Sequence, residues 1–216
     1  MRHGYTNSTE RVGDLVLKRY AGPDAEHRAV AERRALIALG GRYPVPEVVA
    51  TESHSLVTQW VSGDHGQDLI DAGEAVTVLA ACGAVLRVLH GLDRNLLSKR
   101  ATGGVISHGD FGPNNVLLDA GRRVCAVLDW EFSGIGAPIT DVAWCEWIVR
   151  MHHPDAVGAL PAFFDAYGER PSWRQRQAEM LRRCSWLEDF TRRWDPEGAG
   201  VPLWQDRAAV TRRWRE

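Results

Sequence analysis

Lysine is nearly absent from this chain: of its 26 basic residues only Lys18 and Lys99 are lysines, and the rest are arginines. No run of about 20 apolar residues occurs, which argues against a membrane-spanning helix. The opening MRHGYTNSTE has no apolar segment that would serve as a secretory signal, so the cytoplasm is the expected location. The four cysteines, Cys82, Cys125, Cys145 and Cys184, form neither a CxxC pair nor a zinc-ligand pattern, and are expected as reduced side chains in apolar packing. The eight histidines show no HExxH, which leaves metal-dependent hydrolysis without support. A net charge of −2 gives no nucleic-acid footprint, and the arginine pairs of LRRC, TRRW and TRRWRE read as solvated helix faces. Neither a nucleic-acid nor a membrane partner is expected, and the oligomeric state is left open. G-x-G-x-x-G and the Walker A sequence are both missing.

What is present suffices for a core. The chain has 216 residues, 44% of them hydrophobic and 25% charged, enough for one domain or two small lobes. In GYTNSTERVGD, Gly4, Asn7, Gly13 and Asp14 mark loop or turn positions. LVLKRY reads as a strand, and residues 24 to 39 as a helix capped at Asp24 and ended by Gly40 and Gly41. PEVVATESHSLVTQW gives two short strands around a turn. A boundary is expected near Val61 to Gly66, where composition turns to Gly, Ser and Asp, followed by an apolar helix from Ala75 to Leu92. From Thr140 onward the pattern is helical, with breaks at Pro154, Pro161, Pro171 and Pro196.

The densest chemistry lies in HGDFGPNN, residues 108 to 115. VLLD and VCAVLD behind it are strand-like runs joined by AGRR, a hairpin signal. Centred near Arg122, that hairpin would set Asn115 opposite Asp129 at its open end. Two oxygen ligands side by side suit Mg2+, which completes its octahedron with water and substrate phosphates. Asp110, on the same loop, would accept a proton from an attacking hydroxyl. Taken singly, Asp110 and Asn115 are also ordinary turn formers.

HGDFGPNNVLLD, with VLDWE and GAPITDVAW, resembles the aminoglycoside phosphotransferase and choline kinase-like family, small-molecule kinases that share the protein-kinase fold. The loop is similar to H-R-D-x-x-x-x-N, with Gly109 in place of the arginine. The resemblance runs from Gly4 to about Trp144 and implies an α+β, two-lobed protein-kinase-like fold. Residues 1–61 would form a small β-rich nucleotide-binding N-terminal lobe, and residues 62–216 a larger, mainly helical C-terminal lobe. It implies ATP and Mg2+ as cofactors, Asp110 as catalytic base, Asn115 and Asp129 as metal ligands, and His108 as a support of the loop. Lys18 would clamp phosphate. Its expected partner is Glu32, which interrupts the apolar stripe Ala25, Ala29, Leu36 and Leu39; Glu26 is the rival off that stripe. VTQWV resembles the hinge between kinase lobes, with the Gln59 carbonyl and Val61 amide facing the purine and Trp60 adding side-chain surface. Phosphate contacts are assigned to a loop around Asn7, Ser8 and Thr9, with the strand before that loop short or absent. Only eleven residues separate Asp129 from Asp141, too few for a regulated activation segment, and Asp141 reads as a helix cap that supports the site structurally.

The acceptor is the most open part. Seven of the nine tryptophans lie beyond residue 140, interleaved with Glu146, Glu188 and Asp189. An aromatic and acidic pocket would suit a cationic small molecule bearing a hydroxyl, with Trp186, Glu188 and Asp189 of WLEDF as its contacts. An aminoglycoside-like antibiotic leads. Choline, an amino alcohol, homoserine, a macrolide or a glycated amine remain open, as does a nucleotide-binding pseudokinase regulator.

Overall fold

A computed structural model describes residues 7–216; Gly4 lies outside them. Strand β1 (Asn7–Val12) pairs antiparallel with β2 (Leu15–Tyr20) across the turn at Gly13 and Asp14. The stretch expected as a loop is thus a strand from Asn7 onward. It is an edge strand, which explains its polar, exposed composition. Helix α1 (Ala25–Leu39) follows, then β3 (Val48–Thr51) and β4 (Ser55–Gln59), completing a four-stranded sheet of order β1-β2-β4-β3. Asp24 stands at the start of α1 but makes no side-chain cap; its carboxylate is instead 2.8 Å from Arg193. The buried face of α1 carries Ala29, Glu32, Leu36 and Leu39, and also Arg28, Ala31 and Ala35.

The larger, mainly helical part begins with the short strand β5 (Asp64–His65), helix α2 (Gly66–Asp71) and the apolar helix α3 (Ala75–Gly91). Strand β6 (Val105–Ser107) leads into the HGDFGPNN loop, and β7 (Val116–Leu118) and β8 (Val124–Val127) form the hairpin behind it. Strand β9 (Gly134–Gly136) returns to pair with β6. Then come α4 (Pro138–His152), α5 (Leu160–Tyr167), α6 (Trp173–Trp194) and α7 (Gly200–Arg213). Pro161 does not break α5 but sits in its first turn, where its missing N–H costs nothing. Among the described residues, no helix is long and apolar enough to cross a membrane.

Two apolar clusters hold this part together. In one, α3 packs on α5 and on the β7–β8 hairpin through Leu79, Leu86, Phe163, Val116 and Val127. The other joins α4, α6 and α7 around Met180 and Cys184, with Trp147 stacked on Trp144 at 4.3 Å and on Trp204 at 5.6 Å. These three tryptophans are core, not an open aromatic pocket. Glu146, expected beside an acceptor, is fully buried: it pairs with the equally buried Arg176 and accepts from Arg150 at 2.8 Å. Burying a carboxylate stabilises only where its charge is matched, and arginine's fork matches it here.

Glu146→Ala should therefore cost about 3–5 kcal/mol in chemical denaturation, because it leaves the buried Arg176 guanidinium with only the half-exposed Glu216 carboxylate to match its charge. Glu10→Ala, which removes an exposed pair with Arg19, should cost no more than about 1 kcal/mol.

Candidate active site

Strand β2 and helix α1 bring Lys18 against Glu32, with Nζ 2.6 Å from Oε2. The same ammonium lies 2.5 Å from Asp129 Oδ1 and 3.6 Å from Glu131 Oε2. Glu32 also accepts from the Tyr20 hydroxyl at 2.6 Å and the Trp130 N–H at 3.3 Å, while Glu26 is exposed. Burial alone would lower the Lys18 pKa. The carboxylates of Asp129, Glu32 and Glu131 outweigh it and hold the ammonium well above its usual range.

Glu131 is a member of this cluster that sequence reasoning missed. It accepts from Asn7 Nδ2 at 2.5 Å and from the buried Arg28 at 2.9 Å. Burial and the neighbouring Asp129 charge push its pKa up to about 7. Arg28 sits one helical turn before Glu32 on the same face, a spacing that was available as a signal. Asn7 thus spends its carboxamide on Glu131 and Arg28, and Ser8 is an exposed residue of β1 paired with Arg19. Both stand on strand β1. Gln59 ends β4, Val61 lies in the irregular stretch 60–63, and Trp60 is covered by the Arg11 guanidinium at 4.2 Å.

The HGDFGPNN loop is held from behind. Gly109 has φ +83°, and a Cβ there would run into the Phe132 carbonyl, so an arginine at this position does not fit. The buried His108 ring donates from Nε2 to the Leu128 carbonyl at 2.8 Å and accepts the Asp110 N–H at Nδ1, 3.2 Å away. Asp141 is not a helix cap: it lies inside the first turn of α4 and accepts the N–H groups of His108 (3.0 Å) and Gly109 (2.8 Å). His90 Nε2 is 3.1 Å from the same carboxylate. Burial would raise the Asp141 pKa, but the hydrogen bonds from His90 and the Gly109 N–H bring it below the usual carboxylate range.

Asp110 is half-buried, its Oδ1 accepting from Trp144 Nε1 at 2.7 Å and its Oδ2 from Asn115 Nδ2 at 3.3 Å. Burial raises its pKa in spite of the nearby Arg183 charge. Asn115 also donates to the Asp110 carbonyl at 2.8 Å. The residue opposite Asn115 is Leu128, whose N–H donates to its carbonyl at 2.8 Å, and not Asp129. The turn is centred at Gly121, one residue before Arg122, and a register shift after Leu117 recovers only part of that offset. Asp129 follows in the left-handed region at φ 65°, a cost that its bond to Lys18 offsets.

Oxygens of Glu32, Asp129 and Glu131 lie within 4.8 Å of one another. Asp129 is the open member, its side chain 33% exposed against 6% for the other two. Burial would raise its pKa, but Lys18 lowers it below the usual range and keeps it ionised. Hard carboxylate oxygens grouped in this way fit a magnesium ion.

On α6, Trp186 stacks on Phe190 and is exposed, and Asp189 is exposed with no partner among the described residues. Glu188 is bound by Arg192 at 2.5 Å and Gln205 at 2.9 Å, so its carboxylate is already engaged. Arg183, read from sequence as part of a solvated face, is half-buried against Trp144, Phe132 and Trp186.

A family model described as the phosphotransferase enzyme family matches residues 2–104 and 94–179. The chain belongs to that family, whose members are small-molecule phosphotransferases. Its fold is similar to a thermostable mutant of aminoglycoside phosphotransferase APH(4)-Ia, apo form, at TM-score 0.71 and 18% identity over 98% of this chain and 92% of that one. A choline/ethanolamine kinase family protein from Mesorhizobium loti gives TM-score 0.65 at 19% identity, covering 97% and 85%. Macrolide 2'-phosphotransferase MphH from Brachybacterium faecium gives 0.62 at 19%, covering 99% and 94%. No curated protein matches the sequence.

Because the Asp141 pKa is depressed in the folded chain, the stability it contributes is complete above the unfolded value of about 3.9 and is lost as pH falls below it. The stability gap between the wild type and Asp141→Asn should thus be constant above pH of about 5 and shrink below about 4. Urea titrations across that range measure the gap.

Proposed function

We propose that this phosphotransferase moves the γ-phosphoryl group of ATP to a hydroxyl of a small molecule, with residues 1–61 as the nucleotide lobe and 62–216 carrying the catalytic loop, metal and acceptor sites. The observation that carries it is the meeting of an ionised lysine–carboxylate cluster with a carboxylate of raised pKa on the adjoining loop. Lys18, oriented by Glu32 and Tyr20, is a point charge suited to phosphate oxygens. Asp129 and Asn115 would hold magnesium, with Glu131 behind them. Magnesium bound there supplies charge neutralisation for the phosphates and the transferred group.

Asp110 does the proton chemistry in this proposal. Its carboxylate is fixed by Trp144 and Asn115, and its raised pKa makes it a stronger base than a solvated aspartate. The Asp141 anchor keeps the loop from moving when the hydroxyl arrives. In this reading the Gln59 carbonyl and the Val61 amide would hold the purine. Hydroxyl-rich antibiotics are the first acceptors to try, because structural relatives include aminoglycoside and macrolide phosphotransferases. An amine-bearing acceptor would have Asp189 and the Trp186 ring on α6, since Glu188 is engaged.

Incubation with MgATP and a panel of amino sugars, amino alcohols, hydroxy acids and macrolides should give a phosphoryl mass gain in at least one compound. Asp110→Asn should bind MgATP as the wild type does and lower turnover by roughly 10²-fold or more. No mass gain across the panel, or full turnover in Asp110→Asn, contradicts the assignment.

A further inference from the structure

Arg183, whose charge lies near Asp110, carries donors that no partner among the described residues takes up. It projects from α6 with its guanidinium 4.2 Å from the Trp186 ring, 5.2 Å from Phe132 and 5.7 Å from Trp144. Trp144 is the residue whose indole N–H holds Asp110, so Arg183 stands one ring away from the proposed base. Its Nε and Nη2 are covered and have no hydrogen-bond partner among the described residues. Of the carboxylates on its own helix, Glu179 is engaged with Arg182 and Glu188 with Arg192 and Gln205, while Asp189 is exposed. A guanidinium does not deprotonate, so covered donors without acceptors are a standing cost that a bound oxyanion would remove.

We propose that Arg183 binds an anionic group of the acceptor, a carboxylate or another oxyanion, so that the hydroxyl served by Asp110 belongs to an acid and not to an amine. This rests on the phosphotransferase function proposed above. The aromatic faces that would receive a ligand ammonium already hold the protein's own cation, and a second positive charge there would be repelled. Nη1 is the nitrogen of the fork that is not covered, so a planar carboxylate would enter at the Nη1–Nη2 end of the half-buried side chain, two parallel donors for two oxygens. Asp189, one turn and a half further along α6, is too exposed to outweigh this at the mouth of the loop.

Two trios of probes with matched skeletons test the charge preference: D-glucuronate, D-glucose and D-glucosamine, and D-glycerate, glycerol and 3-amino-1,2-propanediol. Binding is measured by calorimetry in the presence of Mg2+ and a non-hydrolysable ATP analogue, with wild type, Arg183→Met and Arg183→Lys. In at least one trio the carboxylate should bind about tenfold or more tightly than its neutral and amine counterparts. That preference should vanish in Arg183→Met and survive in part in Arg183→Lys, which keeps the charge without the fork. The methionine preserves the ring packing, and the lysine variant covers the case in which it does not fold. Tightest binding of the amines, or a carboxylate preference that persists in Arg183→Met, overturns the proposal. So does a fall in kcat equal for all acceptors with KM unchanged, which would place Arg183 on the transferred phosphoryl group. Phosphorylated product is scored separately with MgATP: carboxylate binding without any product supports the anion site and counts against phosphoryl transfer, whereas phosphorylation of amines alone does the reverse.

Discussion

A single ammonium among three carboxylates sets the arrangement of everything near it. Lys18 Nζ is within 3.6 Å of Glu32, Asp129 and Glu131, groups that come from α1 and from the segment after β8. Without that charge the three acids would repel one another in a site too buried for water to screen them. With it, β2, α1 and the segment 129–131 are tied at one point, and Asp129 is held in a left-handed conformation that leaves its carboxylate at the mouth. Arg28 supplies the second positive charge, beside Glu131, whose pKa is pushed up to about 7.

The tie extends to the HGDFGPNN loop through Trp130, which is fully buried and lies in sequence between Asp129 and Glu131. Its N–H reaches Glu32, its indole N–H donates to the Val127 carbonyl at 2.8 Å, and its ring lies 4.5 Å from His108. His108 in turn holds the Asp110 N–H, and Asp141 fixes the same loop from the other side. A carboxylate of raised pKa and a charge cluster that suits phosphate and metal are therefore positioned by one connected set of contacts. Preorganisation of this kind spares the reaction the cost of bringing those groups together.

Much of this was legible in the sequence wherever a periodicity or a spacing carried it. The stripe on α1 placed Glu32 toward Lys18, and the Asp-x4-Asn loop before a hairpin marked the neighbourhood of Asp110, Asn115 and Asp129. What escaped depends on contacts distant in sequence or on a single residue of register. The β7–β8 turn is centred at Gly121, one residue before Arg122, and the bulge recovers only part of that offset, so Asn115 faces Leu128 and not Asp129. Glu131 meets Asn7 across 124 positions, and that contact ties the start of β1 to the segment after β8. Acids and arginines were equally opaque, because composition does not distinguish a free carboxylate from one already matched. Glu146 and Glu188 proved to be paired, while Arg183 lacks a hydrogen-bond partner for two of its nitrogens. Asp141 shows the same limit: its place in a first helical turn suggested a cap, and its bonds go to a different segment.

Calorimetric titration of ATP with and without Mg2+, on the wild type and on Asp129→Ala, tests most directly whether the lysine–carboxylate cluster is a nucleotide–metal site. Magnesium should tighten ATP binding to the wild type and make no difference to Asp129→Ala, whose fold is checked by its unchanged circular dichroism. A variant that binds ATP with the wild type's full magnesium dependence would show that Asp129 serves only to balance Lys18, and that the metal site lies elsewhere.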